Sequence, residues 1–294
     1  MNLNNLISGS EKRYRKKLEN FFTLKWGDTF LWSHGLDHHK RVWHYAKELL
    51  AASASVVAGR NKFSETNVSD EPGNIDTDKL IMACYLHDLG MAADKGTRHG
   101  YLSREFGRIF LDEERLKIHE FTDLLDALEF HDNKEYKNDP STGNELLKIL
   151  SVADDLDAFG YIGIYRFLEI YLARRIDASV IGSEILKNAA GRFRYFEINY
   201  RHYDELYKKH KKRYMILDDF FSCHARQNGK GANENALENN SGGITEFFSK
   251  INNIRCTPED IRSQKYPFAG FNASLNSYLR GLESELTEFQ KIIK

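Results

Sequence analysis

Apolar residues recur at three- and four-residue intervals along most of this chain, and only four prolines stand in its 294 residues to interrupt them. That recurrence lays one apolar stripe along a helix and gives a strand no consistent face. Helices are predicted over residues 37–57, 77–88, 99–113, 118–131, 143–153 and 161–176, with others near 180–191, 200–220 and 272–292. Strand-like alternation is scarce. The expected fold class is therefore all-α, a set of helices packed on their apolar stripes.

Two stretches break the pattern. Residues 60–78, RNKFSETNVSDEPGNIDTD, read as a polar loop. Residues 226–243, RQNGKGANENALENNSGG, are rich in Asn and Gly, hold almost no core-forming side chains and read as a flexible loop. They separate a main body, residues 1–225, from a C-terminal helical extension, residues 244–294. About fifty residues bury too little apolar surface to stand alone, so the extension is expected to pack back on the main body. A pairing of two chains into a homodimer is the other arrangement considered.

Charge excludes some partners. The 42 basic and 43 acidic groups nearly cancel, leaving a formal net charge of -1 and no global positive field for nucleic acid. The basic run YKKHKKRY, residues 207–214, reads as a solvated helix face, and Phe193, Tyr195, Phe196 and Tyr200 as helix-packing aromatics. No run of eighteen apolar residues appears, so no membrane-spanning helix is expected. The start, MNLNNLISGSEKRYRKK, lacks the apolar core of a secretory signal. Cys84, Cys223 and Cys256 are odd in number and far apart, which fits a reducing interior. A cytoplasmic location is expected.

The chemistry lies in histidines and aspartates. His87-Asp88 ends the apolar run KLIMACYLHDLG, where a helix end can point two consecutive polar side chains at one cavity and Gly90 offers a break beyond them. Mid-helix neighbours would diverge by about a hundred degrees. Asp154 follows the apolar stretch ELLKILSVA, where a carboxylate costs several kcal/mol unless it is paired or binds a cation. Asp155 and Asp157 lie close by, and a solvated or capping role for one of the three is ordinary. His34, His38 and His39 crowd one short region. If that region is helical, His34 and His38 share a face and His39 points elsewhere. One is read as a ligand, one as a substrate contact and one at the surface. Mixed imidazole and carboxylate ligation suits Fe, Mn, Co, Ni, Zn or Mg.

His38 with Arg41-Val42, then His87-Asp88, then Asp154 in ADDLDAFG together resemble the HD superfamily of metal-dependent phosphohydrolases. The nearest likeness is to small bacterial HD hydrolases with a final motif like Asp154 through Gly160, and YIGIYRFLEIYLARR adds to it. The resemblance covers roughly residues 20–220 and leaves the tail outside. It implies an HD-domain helical bundle with additional C-terminal helices, and His38, His87, Asp88 and Asp154 as metal ligands. Members with two metals add two histidines between the His-Asp pair and the last aspartate, and His99 and His131 match those places. One or two divalent ions per chain follow from the resemblance.

The expected reaction is hydrolysis of a small phosphate ester or nucleotide by a metal-activated water, since a divalent ion lowers the pKa of water and neutralises phosphoryl charge. Asp88 is the candidate bridge between two ions. Lys95 and Arg98, in AADKGTRHG, are candidate catalytic and substrate-binding cations, with Arg41 and His34 as further substrate contacts. Asp132 reads as a group orienting a metal-bound histidine or as the first polar residue after a helix. No acidic group follows Asp88 closely, as it does in HD hydrolases of alarmones, and the Gly-Tyr-Pro signature of the cyclic-di-nucleotide branch is missing. The alternatives are an HD-fold di-iron oxygenase and a regulatory protein whose metal is structural or ligand-sensing.

Overall fold

The computed structural model describes residues 2–60, 75–133, 143–228 and 273–292, and among them the protein is all-α, with no strand. Helix α1 (Leu3–Ser10) runs through a π-helical segment (Glu11–Arg15) into α2 (Lys16–Trp26). There follow α3 (Leu36–Arg60), α4 (Thr77–Leu86), α5 (His99–Glu113), α6 (Thr122–Phe130) and α7 (Glu145–Asp157). Then come α8 (Gly160–Ala173), α9 (Ala178–Tyr200), α10 (Asp204–Asn228) and α11 (Ala273–Ile292). Most predicted helices appear within a few residues of their expected ends, but α9 runs nine residues past the predicted 191 and α10 eight past the predicted 220. The α1–α2 rod was not expected, although Leu18, Phe21 and Phe22 already trace its buried face among the lysines and arginines.

The chain divides into two compact units. The first comprises Met1–Thr29, His34–Leu156 and Arg194–Lys208. Its centre is α4, whose LIMACYL, Leu80–Leu86, is buried on all sides. A helix apolar all round belongs inside a bundle, and α4 packs against α1, α2, α3 and α6. Asp76 starts it by accepting from the amides of Asp78 and Lys79, which satisfies donors that a helix start leaves open. Helices α5 and α6 close on each other through glycine: a side chain at Gly100 or Gly107 would strike the Glu129 carbonyl or the Leu128 side chain.

The second unit comprises Phe30–Ser33, Asp157–Phe193 and Lys209–Lys294. Helix α8 is its most buried element. It carries two charges inside: Arg166 pairs with Asp157 at 3.2 Å, and Glu169 accepts from the amides of Trp32 at 3.0 Å and Ser33 at 2.8 Å. These partners answer the cost of burying a charge. Helix α11 docks at the start of α8. Its Glu285 accepts from the Ile162 amide at 2.8 Å and from Arg213 Nε at 2.9 Å, while Arg213 also donates to the Phe159 carbonyl. In the basic run, Lys208, Lys209, Lys211 and Lys212 are exposed, His210 is buried, and Tyr214 stacks on Phe193 with ring centres 4.2 Å apart.

The 60–78 loop, beyond its first residue and its last four, and the Asn/Gly-rich 226–243 segment, beyond the end of α10, lie outside the described residues, as do residues 244–272 of the C-terminal extension. No described helix is long and apolar enough to cross a membrane.

Candidate metal centre

Helix α4 stops at Leu86 so that the next two side chains turn inward. His87 keeps helical angles and its amide still bonds the Ala83 carbonyl at 3.1 Å, but Asp88 leaves the helix at φ -104°, ψ 8° and starts a 3₁₀ turn, Leu89–Ala92. Gly90 was read as a helix break; its role is closer contact. It lies in that turn against the first turn of α5, and its amide donates to Ser103 Oγ at 2.9 Å.

Three histidines are held by one device. His87 Nδ1 meets the Cys84 carbonyl at 3.1 Å, His99 Nδ1 the Gly96 carbonyl at 2.6 Å, and His131 Nδ1 the Leu128 carbonyl at 2.9 Å. Each carbonyl lies three residues upstream. Since a carbonyl only accepts, Nδ1 carries the proton and Nε2 is the nitrogen left for ligation.

Those Nε2 atoms converge on Asp88. Its Oδ2 faces His38 Nε2 at 3.4 Å and His87 Nε2 at 3.5 Å, while its Oδ1 faces His131 Nε2 at 3.0 Å and His99 Nε2 at 3.7 Å. Asp154 Oδ1, from within α7 rather than beyond it, stands 3.7 Å from His38 and 3.8 Å from His87. Two ligand-like groups result: His38, His87, Asp88 and Asp154, and Asp88, His99 and His131, all buried, with the ligand atoms of each within 4.8 Å of one another. All lie in the first unit.

The donors fit a divalent ion. With bonds of about 2.0–2.2 Å, neighbouring ligand atoms stand roughly 3–3.5 Å apart, close to the spacings here. His38 Nε2 and His87 Nε2 face each other at 3.1 Å with two carboxylates alongside. Lone pairs crowded in this way call for a proton or a cation between them.

Without an ion the cluster trades protons. Burial opposes charge on His87, but Asp88 and Asp154 outweigh it and push its pKa up to about 9. Burial likewise opposes charge on Asp88, yet His87, His131 and His38 hold its carboxyl well below the usual range. Burial prevails at His131, whose pKa is lowered despite Asp88.

The other expected residues fall as follows. His34 is buried, with Nε2 4.0 Å from Asp88 Oδ2, at the edge of the first group. Arg41 is buried on α3, whereas Lys95 and Arg98 are exposed on the segment leading into α5. None of the three crowded histidines is at the surface. His39, the one left for that role, is fully buried against the Phe22 ring, and its Nδ1 shares the Cys84 carbonyl with His87. Asp155 and Asp157 are also buried, so no solvated member remains in the Asp-rich stretch; Asp157 serves Arg166. Asp132 does not orient a histidine through Nδ1, because carbonyls hold that atom in both His99 and His131. Its Oδ2 stands 3.7 Å from His99 Nε2 instead.

With that geometry, one comparison bears on the family. Residues 35–158 match the HD domain. The match spans every residue of both groups and supports the HD superfamily of metal-dependent phosphohydrolases. Comparison with curated proteins and with solved structures gives no match.

Proposed function

We propose that this chain is a metal-dependent phosphohydrolase that holds two divalent ions and cleaves a small phosphate ester or nucleotide. One observation carries the reading: the two oxygens of Asp88 face two different pairs of histidines. Divalent ions so placed lower the pKa of a water and neutralise charge on phosphoryl oxygens. The protein's part is to keep six ligands buried and, through backbone carbonyls, the Nε2 atoms of His87, His99 and His131 turned inward. Exposed Lys95 and Arg98 attract the phosphate to the mouth, and His34 offers it a hydrogen bond beside Asp88. Arg41, buried on α3, is the further candidate for contact with the phosphate. The likeness of Asp154–Gly160 to the final motif of small bacterial HD hydrolases agrees with this reading, and a cytoplasmic setting suits the free thiols of Cys84 and Cys223.

Release of inorganic phosphate from p-nitrophenyl phosphate and from nucleotides, with Mn²⁺ or Fe²⁺ supplied anaerobically, tests the reading. Folded Asp88→Asn should lose about 100-fold or more of the turnover. Oxygen uptake with an organic substrate, without phosphate release, would favour the di-iron oxygenase. Metal binding with no turnover of either kind would favour a structural or ligand-sensing metal.

A further inference from the structure

The second ligand group is poorer than the first. Among the described residues, the set of His38 and His87 includes Asp154 besides the shared Asp88, whereas the set of His99 and His131 includes only the shared carboxylate. Two neutral imidazoles and part of one carboxylate leave most of a divalent charge uncompensated in a buried site. We infer that Asp132 is the missing ligand of the second ion, so that each ion has two histidines, one carboxylate of its own and a share of Asp88.

Local structure supports this. Asp132 repeats the His-Asp pair of residues 87–88. His87 and His131 each cap a helix C-terminus, α4 and α6 respectively, and each Nδ1 is tied to the carbonyl three residues back. In each pair the aspartate comes as the chain leaves the helix. Asp88 thereby reaches the first group, and Asp132 reaches the second, with Oδ2 3.7 Å from His99 Nε2. That nitrogen faces the ion, and the separation equals that between His99 Nε2 and Asp88 Oδ1. Asp132 stands outside the tight three-atom set and its side chain is 39% exposed. Its side chain turns on two torsions, from a turn fixed by the Asn133 amide and Phe130 carbonyl at 3.0 Å. A ligand on the solvent side is also the one that can yield to an incoming phosphate oxygen.

The inference rests on the two-ion reading above, and equilibrium dialysis of the metal-free full chain against Mn²⁺, read by elemental analysis, separates the two. Wild type should bind two ions. Asp132→Ala should keep one at wild-type affinity and bind the other at least about tenfold more weakly, and Asp132→Glu should restore it. The retained ion shows that the variant is folded. Two ions at unchanged affinity in Asp132→Ala would overturn the inference and leave the two-ion reading intact. Loss of both ions would also overturn it, showing that Asp132 serves the fold. Fewer than two ions in wild type would overturn the two-ion reading and this inference with it.

Discussion

Gly90→Ala should separate the two ligand groups without touching a ligand. A Cβ on Gly90 would lie 2.8 Å from the Ser103 amide nitrogen and closer still to the His99 carbonyl oxygen. Both atoms are helix backbone, which cannot rotate aside as a side chain could. The first turn of α5 must withdraw by roughly 1 Å, and overpacking of this kind costs about 1–3 kcal/mol. The bond from the Gly90 amide to Ser103 Oγ weakens as well, adding about 1 kcal/mol. A total of about 2–4 kcal/mol corresponds to a fall in Tm of about 5–10 °C. His99 is the first residue of α5, so the withdrawal carries its Nε2 away from Asp88, whereas no ligand of the first group lies on α5. Thermal unfolding of the metal-free variant and Mn²⁺ dialysis should show reduced stability and a weakened second ion beside an unchanged first. Unchanged Tm with two ions at wild-type affinity would refute the reasoning.

Two other perturbations probe other parts of the account. In metal-free protein, His87 is raised from 6.5 to about 9, so the stability it contributes is full below pH 6.5 and is lost as pH rises toward 9. His39 and His131 are lowered from 6.5, so they favour unfolding as pH falls below that value, and Asp88 adds to the loss near its ordinary carboxylate range. Stability measured by denaturant between pH 5 and 9 should peak near 6.5 and lose roughly 3 kcal/mol from His87 by pH 9; a steady rise to pH 9 would contradict this. In the second unit, Glu285→Ala removes two charge-assisted bonds, to Ile162 and Arg213, worth about 2–4 kcal/mol to the docking of α11. Hydrogen exchange should accelerate throughout α11, and unchanged protection would show that other contacts hold it.

Helical periodicity was legible because apolar stripes survive whatever they pack against, and α3 to α11 follow it. The α1–α2 rod was missed because charged residues crowd Leu18, Phe21 and Phe22 and draw the eye from the stripe. The six candidate ligands, and their division into two sets that share Asp88, came with the family resemblance rather than from spacing alone. Which oxygen of Asp88 faces which histidine depends on where α3, α5, α6 and α7 meet α4, and that is a tertiary fact. Tertiary context also overturned the surface position expected for His39, whose second ring nitrogen has no hydrogen-bond partner among the described residues. The same holds for Asp155 and Asp157, polar in sequence and fully buried in the fold. Asp132 left a signal in the second His-Asp dipeptide, but its meaning required seeing which nitrogen of His99 it faces.

Asp88 as a shared ligand is the centre of the account, and Mn²⁺ binding by metal-free wild type and Asp88→Ala, measured side by side, tests it most directly. Two ions per chain in wild type, with both weakened together by the single substitution, are predicted. A variant that keeps one ion at wild-type affinity, or a wild type that binds fewer than two, would contradict it.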